Sequence, residues 1–385
     1  MKISVVMPAL NEEKTVGLCV QKARAAFKRL GMTEDSEVVV VDNGSHDSTA
    51  QVAEGAGARV VLCKIKGYGN AYQAGLKAAL GEFVVTGDAD DSYNFEEIEP
   101  FVRKLEQGYE FVIGNRFRGR IEPGAMPWLH RFIGTPFLTG IMNLFFHTGI
   151  GDVNCGMRAM RKDAFERMRL NAPGMEFTTE IVIKASLIGL KIAEVPCNLY
   201  RDKRGRKPHL RTFSDGWRYL RFMLLFTPTW TFLVPGVSTI SIGLAIMASL
   251  TIRDIFFPVS LAFISQRHML SGLLLFLLGS QIVTLGIAAG VFGYSEYFDK
   301  NNSSVSWIRK RFTLERGMMI GACLAVVSAL LLLYLFVSYY WHTLSLLGNE
   351  AVRLDIAILA IGGVLLGVQF IFGSFLLSLN YLRVK

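Results

Sequence analysis

Three aspartates fall within four positions of the stretch 82–92, EFVVTGDADDS: Asp88, Asp90 and Asp91. Side chains two apart point the same way along extended backbone, which pairs Asp88 with Asp90. Two adjacent carboxylates repel each other unless a cation sits between them. A hard divalent ion such as Mg²⁺ or Mn²⁺ takes oxygen ligands and usually also holds substrate phosphates. The chemistry expected of the pair is therefore metal-assisted handling of a phosphate-bearing substrate. The bland alternative is a solvated acidic turn, because a bare DxD spacing often arises by chance. Other polar groups gather in short clusters. They are 8–13 (PALNEE), 42–45 (DNGS), 66–70 (KGYGN), 115–118 (NRFR) and the basic run 201–211, RDKRGRKPHLR. Glu176 and Glu180 stand one helical turn apart. Two readings stay open for them: groups that orient a ligand's hydroxyls, or ordinary solvated helix carboxylates. His130 reads as a ligand contact or a structural histidine.

The elements that must hold these clusters follow from the apolar pattern. Residues 2–7, 37–41, 58–63, 83–85, 110–114 and 192–196 are short apolar runs of strand type. Helical spacing fills 14–30, 71–80 and 175–187. Residues 119–149 read as loop and helix, and 152–158 as a turn. Alternating strands and helices predict a doubly wound, mostly parallel α/β sheet covered by helices. The clusters follow strands, so they should converge at the carboxyl ends, where such sheets bind ligands.

From about residue 221 the composition changes. Four uncharged runs, 222–250, 269–294, 317–341 and 356–381, each exceed the ~20 residues needed to span a bilayer. An all-α membrane domain over 222–385 is expected, after a soluble domain over 1–211 and an amphipathic juxtamembrane helix over 212–226. Residues 255–266 are apolar but short and contain Pro258, so they read as interfacial or re-entrant. The connection between the second and third spans carries Lys300, Arg309, Lys310, Arg311 and Arg316. By the positive-inside rule it is cytoplasmic, as then are the N-terminal domain and the C-terminus. The spans carry no ionisable residue in their middles, which argues against an ion or proton path. The small residues Gly362, Gly363 and Gly367 allow close helix contacts and raise the prospect of a homo-oligomer.

The net charge of +9 sits beside the apolar half, which favours anionic lipid over nucleic acid. Five widely spaced cysteines without a CxxC pair indicate buried thiols in a reducing compartment and no zinc site or disulfide framework. Met1 and Lys2 run straight into a strand pattern, so no cleaved signal peptide is expected.

The ordered set PALNEE, VVDNGS, KGYGNA, DADDS and GNRF resembles the family 2 glycosyltransferases of GT-A fold. More narrowly it resembles the polyisoprenyl-phosphate glycosyltransferases, the group that includes dolichol-phosphate mannose synthases and bacterial undecaprenyl-phosphate glucosyltransferases. The resemblance covers residues 2–222 by motif and the four spans by architecture. It implies inverting transfer of one sugar from a nucleotide-sugar, UDP-glucose first and GDP-mannose second, to a polyprenyl phosphate at the inner membrane face. It also implies that Pro8, Leu10, Glu12, Asp42, Lys66, Gly67 and Ala89 line the donor nucleotide. Asp88 and Asp90 would hold the metal and diphosphate, with Ser92 as a further metal ligand. Arg116, Arg131, Arg201, Lys203, Arg204 and Arg206 would meet the acceptor phosphate, and Glu176 and Glu180 the sugar. Three positions depart from the family's habit. Leu10 replaces a frequent aromatic residue, Asn43 a usual second Asp, and Ser92 a frequent Gln. A processive polysaccharide synthase is the nearest alternative, but the QxxRW motif typical of that class is missing before the membrane segments. A catalytically inactive membrane partner is a third reading, opposed by the intact Asp88 and Asp90. A NAD-binding fold would need GxGxxG in the first turn, where PALNEE stands.

Overall fold

Most strands fall on the apolar runs rich in β-branched residues. In a computed structural model describing residues 1–203, 212–256, 262–297, 313–341 and 350–382, β1 (Ile3–Ala9) and β2 (Ser36–Asp42) pair in parallel and are buried along most of their length. Runs of Val and Ile without alternation suit a strand covered on both faces. β3 (Arg59–Leu62) extends the sheet beyond β2, and β4 (Phe83–Thr86) lies on the other side of β1. β5 (Phe111–Asn115) pairs in parallel with β7 (Ile192–Pro196). β6 (Arg158–Arg161) lies antiparallel between β4 and β5, giving the order β3-β2-β1-β4-β6-β5-β7. The mostly parallel sheet matches the expected fold class.

The antiparallel strand is the departure. Residues 152–158 are not merely a turn; they lead into β6. The sequence RAMR hides a strand because its first arginine is buried. Arg158 donates from Nε to the Cys155 carbonyl at 2.9 Å, and from its two terminal nitrogens to Thr178 at 2.6 Å and Val153 at 3.0 Å. A guanidinium fed by three carbonyls is tolerated inside.

Helices α1 (Val16–Leu30), α2 (Thr49–Gly55), α3 (Tyr68–Ala78), α4 (Glu99–Glu106), α5 (Thr135–Phe146), α6 (Lys162–Met168), α7 (Phe177–Leu187) and α8 (Thr212–Leu225) complete this part. The first shows the pattern: Val16, Cys19, Val20, Ala23 and Phe27 recur at helical spacing and are all buried. The helix stops at Gly31, whose φ of 67° suits a residue without Cβ.

The chain divides into two units, Met1–Met223 and Leu224–Lys385. The second holds α9 (Val234–Phe256), α10 (Ala262–Tyr297), α11 (Leu314–Trp341) and α12 (Glu350–Leu382). Segments Thr229–Ile252, Arg267–Val291, Leu314–Tyr339 and Arg353–Ser378 are long and apolar enough to cross a membrane. The expected re-entrant piece is partly corrected: residues 262–266 already belong to α10, while 257–261 lie outside the described residues. Lys300, Arg309, Lys310 and Arg311 also lie outside them.

Glycines join these helices within one chain. A Cβ on Gly321 would lie 2.6 Å from the Gly367 carbonyl oxygen, and one on Gly367 2.6 Å from that of Gly321. Gly243 and Gly272 relate α9 to α10 in the same way, at 2.6 and 3.0 Å. Gly363 abuts Ser328 and Gly362 abuts Leu273. Gly362, Gly363 and Gly367 are thus spent on intrachain packing, and any contact with a second copy must use another face.

Candidate active site

The carboxyl ends of β1, β2 and β4 lie side by side in the sheet. After β1, Asn11 adopts φ 57° and ties two loops together. Its N–H donates to Ser45 Oγ at 2.9 Å, and its side-chain oxygen accepts from the His46 N–H at 2.8 Å. Glu12 is buried, and its N–H donates to Thr49 Oγ1 at 2.8 Å. Asp42, also buried, accepts from the N–H and hydroxyl of Ser45 at 2.9 and 2.5 Å. Pro8 and Leu10 are half-buried at the same edge.

Asn43 explains one departure from the family pattern. Its Nδ2 donates to the carbonyls of Cys63 (3.2 Å) and Ile65 (2.8 Å), and its Oδ1 accepts from the Gly67 N–H at 2.8 Å. An ionised Asp has no donor to give those carbonyls. The amide fixes the turn that leads into α3.

That turn differs from a phosphate cradle. Besides the Gly67 amide, those of Gly69 and Asn70 are taken, by the Pro173 carbonyl at 3.0 and 3.2 Å. A Cβ on Gly69 would collide with the Ala172 carbonyl, and one on Gly67 with that of Pro173. The glycines let the backbone of residues 172–174 press against the turn. Lys66 stays exposed, so its side chain is what the turn offers an anion.

Tyr68, at the start of α3, donates its hydroxyl to Asp88 Oδ1 at 2.9 Å; Tyr72, one turn on, reaches the same oxygen at 3.4 Å. Burial first, and then the Asp88 carboxylate, push both phenols well above their usual pKa. They remain protonated donors that orient the Asp88 carboxyl group. Sequence reading missed this pair; its signal was the four-residue Tyr spacing at a helix start. Asp88 Oδ2 lies beside Gly156, where a Cβ would sit 3.1 Å from it. Asp90 is buried and accepts the Ser92 N–H on Oδ1 at 2.9 Å. Ala89 between them is buried.

Asp91 leaves the group. Its φ of 63° turns the chain, and its carboxylate meets Lys22 at 2.5 Å and Lys203 at 2.8 Å. Lys203, expected at an acceptor phosphate, is therefore engaged by Asp91. Arg116 is likewise committed: it grips the fully buried Asp152 through Nε at 2.6 Å and a terminal nitrogen at 2.8 Å. Burial opposes its charge, but Tyr93 and Asp152 outweigh that and move its pKa up. His130 is held below its usual pKa by burial and by Arg116. Arg131 is exposed, its guanidinium 5.4 Å from the Phe132 ring. Phe132 and, nearby in sequence, Trp128 and Phe137 are also exposed. Arg201 is exposed; Arg204 and Arg206 lie outside the described residues.

The two glutamates part company. Glu180 is buried; it accepts from the N–H groups of Asn171 and Ala172 and pairs with buried Lys184 at 2.7 Å. A carboxylate so engaged serves the loop that packs on Gly69, which corrects the sugar-orienting expectation. Glu176 keeps one oxygen on the Gly174 N–H at 3.2 Å, while its Oε2 is buried and has no hydrogen bond among the described residues.

Oxygen donors without His or Cys suit Mg²⁺ or Mn²⁺. Among the described residues no group of three or more His, Cys, Asp and Glu side chains could hold a metal. Asp88 and Asp90 would supply part of a coordination shell, leaving places for phosphate oxygens and water.

Residues 4–169 match the glycosyl transferase family 2 profile, and residues 287–380 match the glycosyltransferase family 2 C-terminal transmembrane region. The low-salt glycan biosynthesis hexosyltransferase Agl6 of Haloferax volcanii is 34% identical over 382 residues, 98% of this chain and 88% of that protein. A dolichyl-phosphate hexose transferase of the same organism is 32% identical over 214 residues, 56% of this chain and 89% of that protein. Glucosyl-3-phosphoglycerate synthase of Mycobacterium tuberculosis, solved with Mn²⁺, UDP and glucosyl-3-phosphoglycerate, superposes with a TM-score of 0.46 at 22% identity, over 58% of this chain and 78% of that one. With a full-length relative and both family segments in order, the chain belongs to glycosyl transferase family 2 and carries that family's C-terminal transmembrane region.

Proposed function

We propose that this glycosyltransferase moves a single hexose from a nucleotide-sugar to a polyprenyl phosphate at the cytoplasmic face of its membrane. The carrying observation is Asp88 held by two tyrosine hydroxyls, with the buried Asp90 two residues on in the same turn, in a chain with four membrane-length apolar helices. The dolichyl-phosphate hexose transferase among the relatives supports a lipid-phosphate acceptor. UDP-glucose is the first donor to test and GDP-mannose the second.

Asp88 and Asp90 are the residues to hold Mg²⁺ or Mn²⁺. Bound there, the ion would neutralise charge on the leaving diphosphate. Tyr68 and Tyr72 fix the direction of the Asp88 oxygens. Pro8, Leu10, Glu12, Asp42 and Lys66 border the space for the nucleotide. The acceptor phosphate is already anionic, its second pKa being about 6, so it needs no strong base. One of its oxygens attacks the anomeric carbon from the face opposite the diphosphate. The bond to the diphosphate breaks, its electron pair leaves with the nucleotide, and the anomeric centre inverts. Arg131, exposed beside Phe132 in a stretch that also exposes Trp128 and Phe137, has the chemistry to meet a lipid phosphate, since arginine gives two-point contacts. Arg201 is a second candidate. Glu176, whose Oε2 has no hydrogen bond among the described residues, is the remaining candidate for a sugar hydroxyl.

The test is transfer of radiolabel from UDP-glucose, and separately GDP-mannose, to polyprenyl phosphate in detergent with Mg²⁺ or Mn²⁺. Organic-extractable label lost with a chelator and in Asp90→Ala is expected. Failure across a broad donor panel, with nucleotide still bound, would replace this reading with that of an inactive partner.

A further inference from the structure

The membrane unit contains two glutamines at mid-span depth, and they are treated differently. Gln369 on α12 is satisfied inside the chain: its Oε1 accepts from Ser280 Oγ at 3.1 Å and its Nε2 donates to Thr284 Oγ1 at 3.2 Å. Gln281 on α10 is exposed and makes no hydrogen bond with any described residue. It stands ten positions inside Val291, the nearer end of its span. At 1.5 Å per residue that is about 15 Å, the middle of a hydrocarbon core of about 30 Å. A primary amide there has two donors and no water to satisfy them. Lipid chains offer nothing in exchange.

The neighbours of Gln281 say what does. Ser271, Leu274, Leu278, Gln281 and Leu285 are all exposed, and their spacings run three, four, three, four. This is the alternation of a heptad seam, in which a single polar residue sets register and partner number. The opposite face of α10, with Gly272, Leu273, Gly279 and Gly286, is buried against its own chain. Leu274, Leu278, Gln281 and Leu285 of the seam also form one wall of a groove of about 740 Å³, whose other wall is Leu365, Val368 and Phe372 of α12.

We propose that this seam of α10 joins two copies of the chain in the membrane, Gln281 meeting Gln281 across a two-fold axis. A primary amide is self-complementary: each Nε2–H donates to the other's Oε1. That fits an isologous contact, in which one patch meets itself. Two copies inserted with the same topology align α10 in parallel, which brings equal depths together. The glycine faces are already used within the chain, so the seam is a separate surface.

The test uses the full-length protein with Cys323, an exposed thiol in α11, replaced by Ser. Leu278→Cys and Val326→Cys are compared by oxidative cross-linking with copper phenanthroline in native membranes. Val326 is also exposed but lies on α11. Strong covalent dimer from Leu278→Cys and little from Val326→Cys is expected. In nanodiscs or mild detergent, Gln281→Leu should raise the dimer dissociation constant about 5- to 30-fold, the range of one interhelical polar contact. Gln281→Asn, which keeps the amide, should retain most of the affinity. Equal cross-linking at the two positions, or unchanged dissociation in Gln281→Leu, would overturn the proposal. So would a monomer whose groove keeps a copurified lipid, which would assign the groove to lipid.

Discussion

Substituting Glu180 by Gln separates a structural carboxylate from a substrate-binding one. Glu180 Oε2 takes the Ala172 N–H at 2.8 Å and the Asn171 N–H at 3.0 Å, while Oε1 faces Lys184 Nζ at 2.7 Å. A glutamine can place its oxygen at the Oε2 site and keep both amides. Its NH₂ then points at the Lys184 ammonium, which is 1% exposed. Breaking a buried pair by removing one partner costs about 3–5 kcal/mol. For a unit the size of Met1–Met223, that is a fall of about 6–20 °C in the unfolding midpoint. Pairing the change with Lys184→Met removes the stranded charge. The residual loss is the hydrogen bond from Lys184 to the Arg169 carbonyl, 2.5 Å long, at about 1 kcal/mol. The double variant should therefore be more stable than Glu180→Gln alone. Thermal unfolding of the detergent-purified chain, followed by tryptophan fluorescence, reads both. A Glu180→Gln protein that unfolds within about 2 °C of the parent, about 1 kcal/mol at this size, yet no longer transfers sugar would refute the structural assignment and return Glu180 to the substrate.

Tyr68→Phe leaves the fold intact but frees Asp88 Oδ1 from its 2.9 Å donor. Activation by Mn²⁺ should then need about 10–100-fold more metal, as for other outer-shell groups, and an unchanged titration would remove Tyr68 from the site. Gly69→Ala drives a Cβ into the Ala172 carbonyl and should cost about 1–3 kcal/mol, read as a lower unfolding midpoint; a neutral result would mean the 172–174 loop moves freely. His130 has a folded pKa below its usual value, by burial and by Arg116. The unfolded chain therefore binds its proton more readily, so the contribution is present above about pH 6.5 and lost as pH falls through the folded pKa. His130→Gln should flatten the fall in unfolding midpoint on acidification from that pH, and equal slopes in parent and variant would exclude His130 as the cause.

The strand and helix alternation was legible because parallel strands buried on both faces read as unbroken apolar runs, as 37–41 and 83–85 do. The acidic pair was legible for the same reason: ligands collect where such runs end. The four spans were legible from length alone, since a bilayer sets a minimum run. None of this says which way a charged side chain turns. Asp91 is chemically equal to Asp88 and Asp90 in sequence, yet a left-handed backbone step gives it to Lys22 and Lys203. Arg116 and Glu180 read as candidate substrate contacts until Asp152 and Lys184, distant or a turn away, arrive beside them. Tyr68 and Tyr72 become site residues only when α3 docks against the loop after β4. Gly367 reads as a free small face until Gly321, 46 positions earlier, packs onto it. Periodicity and burial are local sums that a sequence carries along its own length. The partner of a buried charge or a bare backbone is set by long-range packing, and only the tertiary structure decides it.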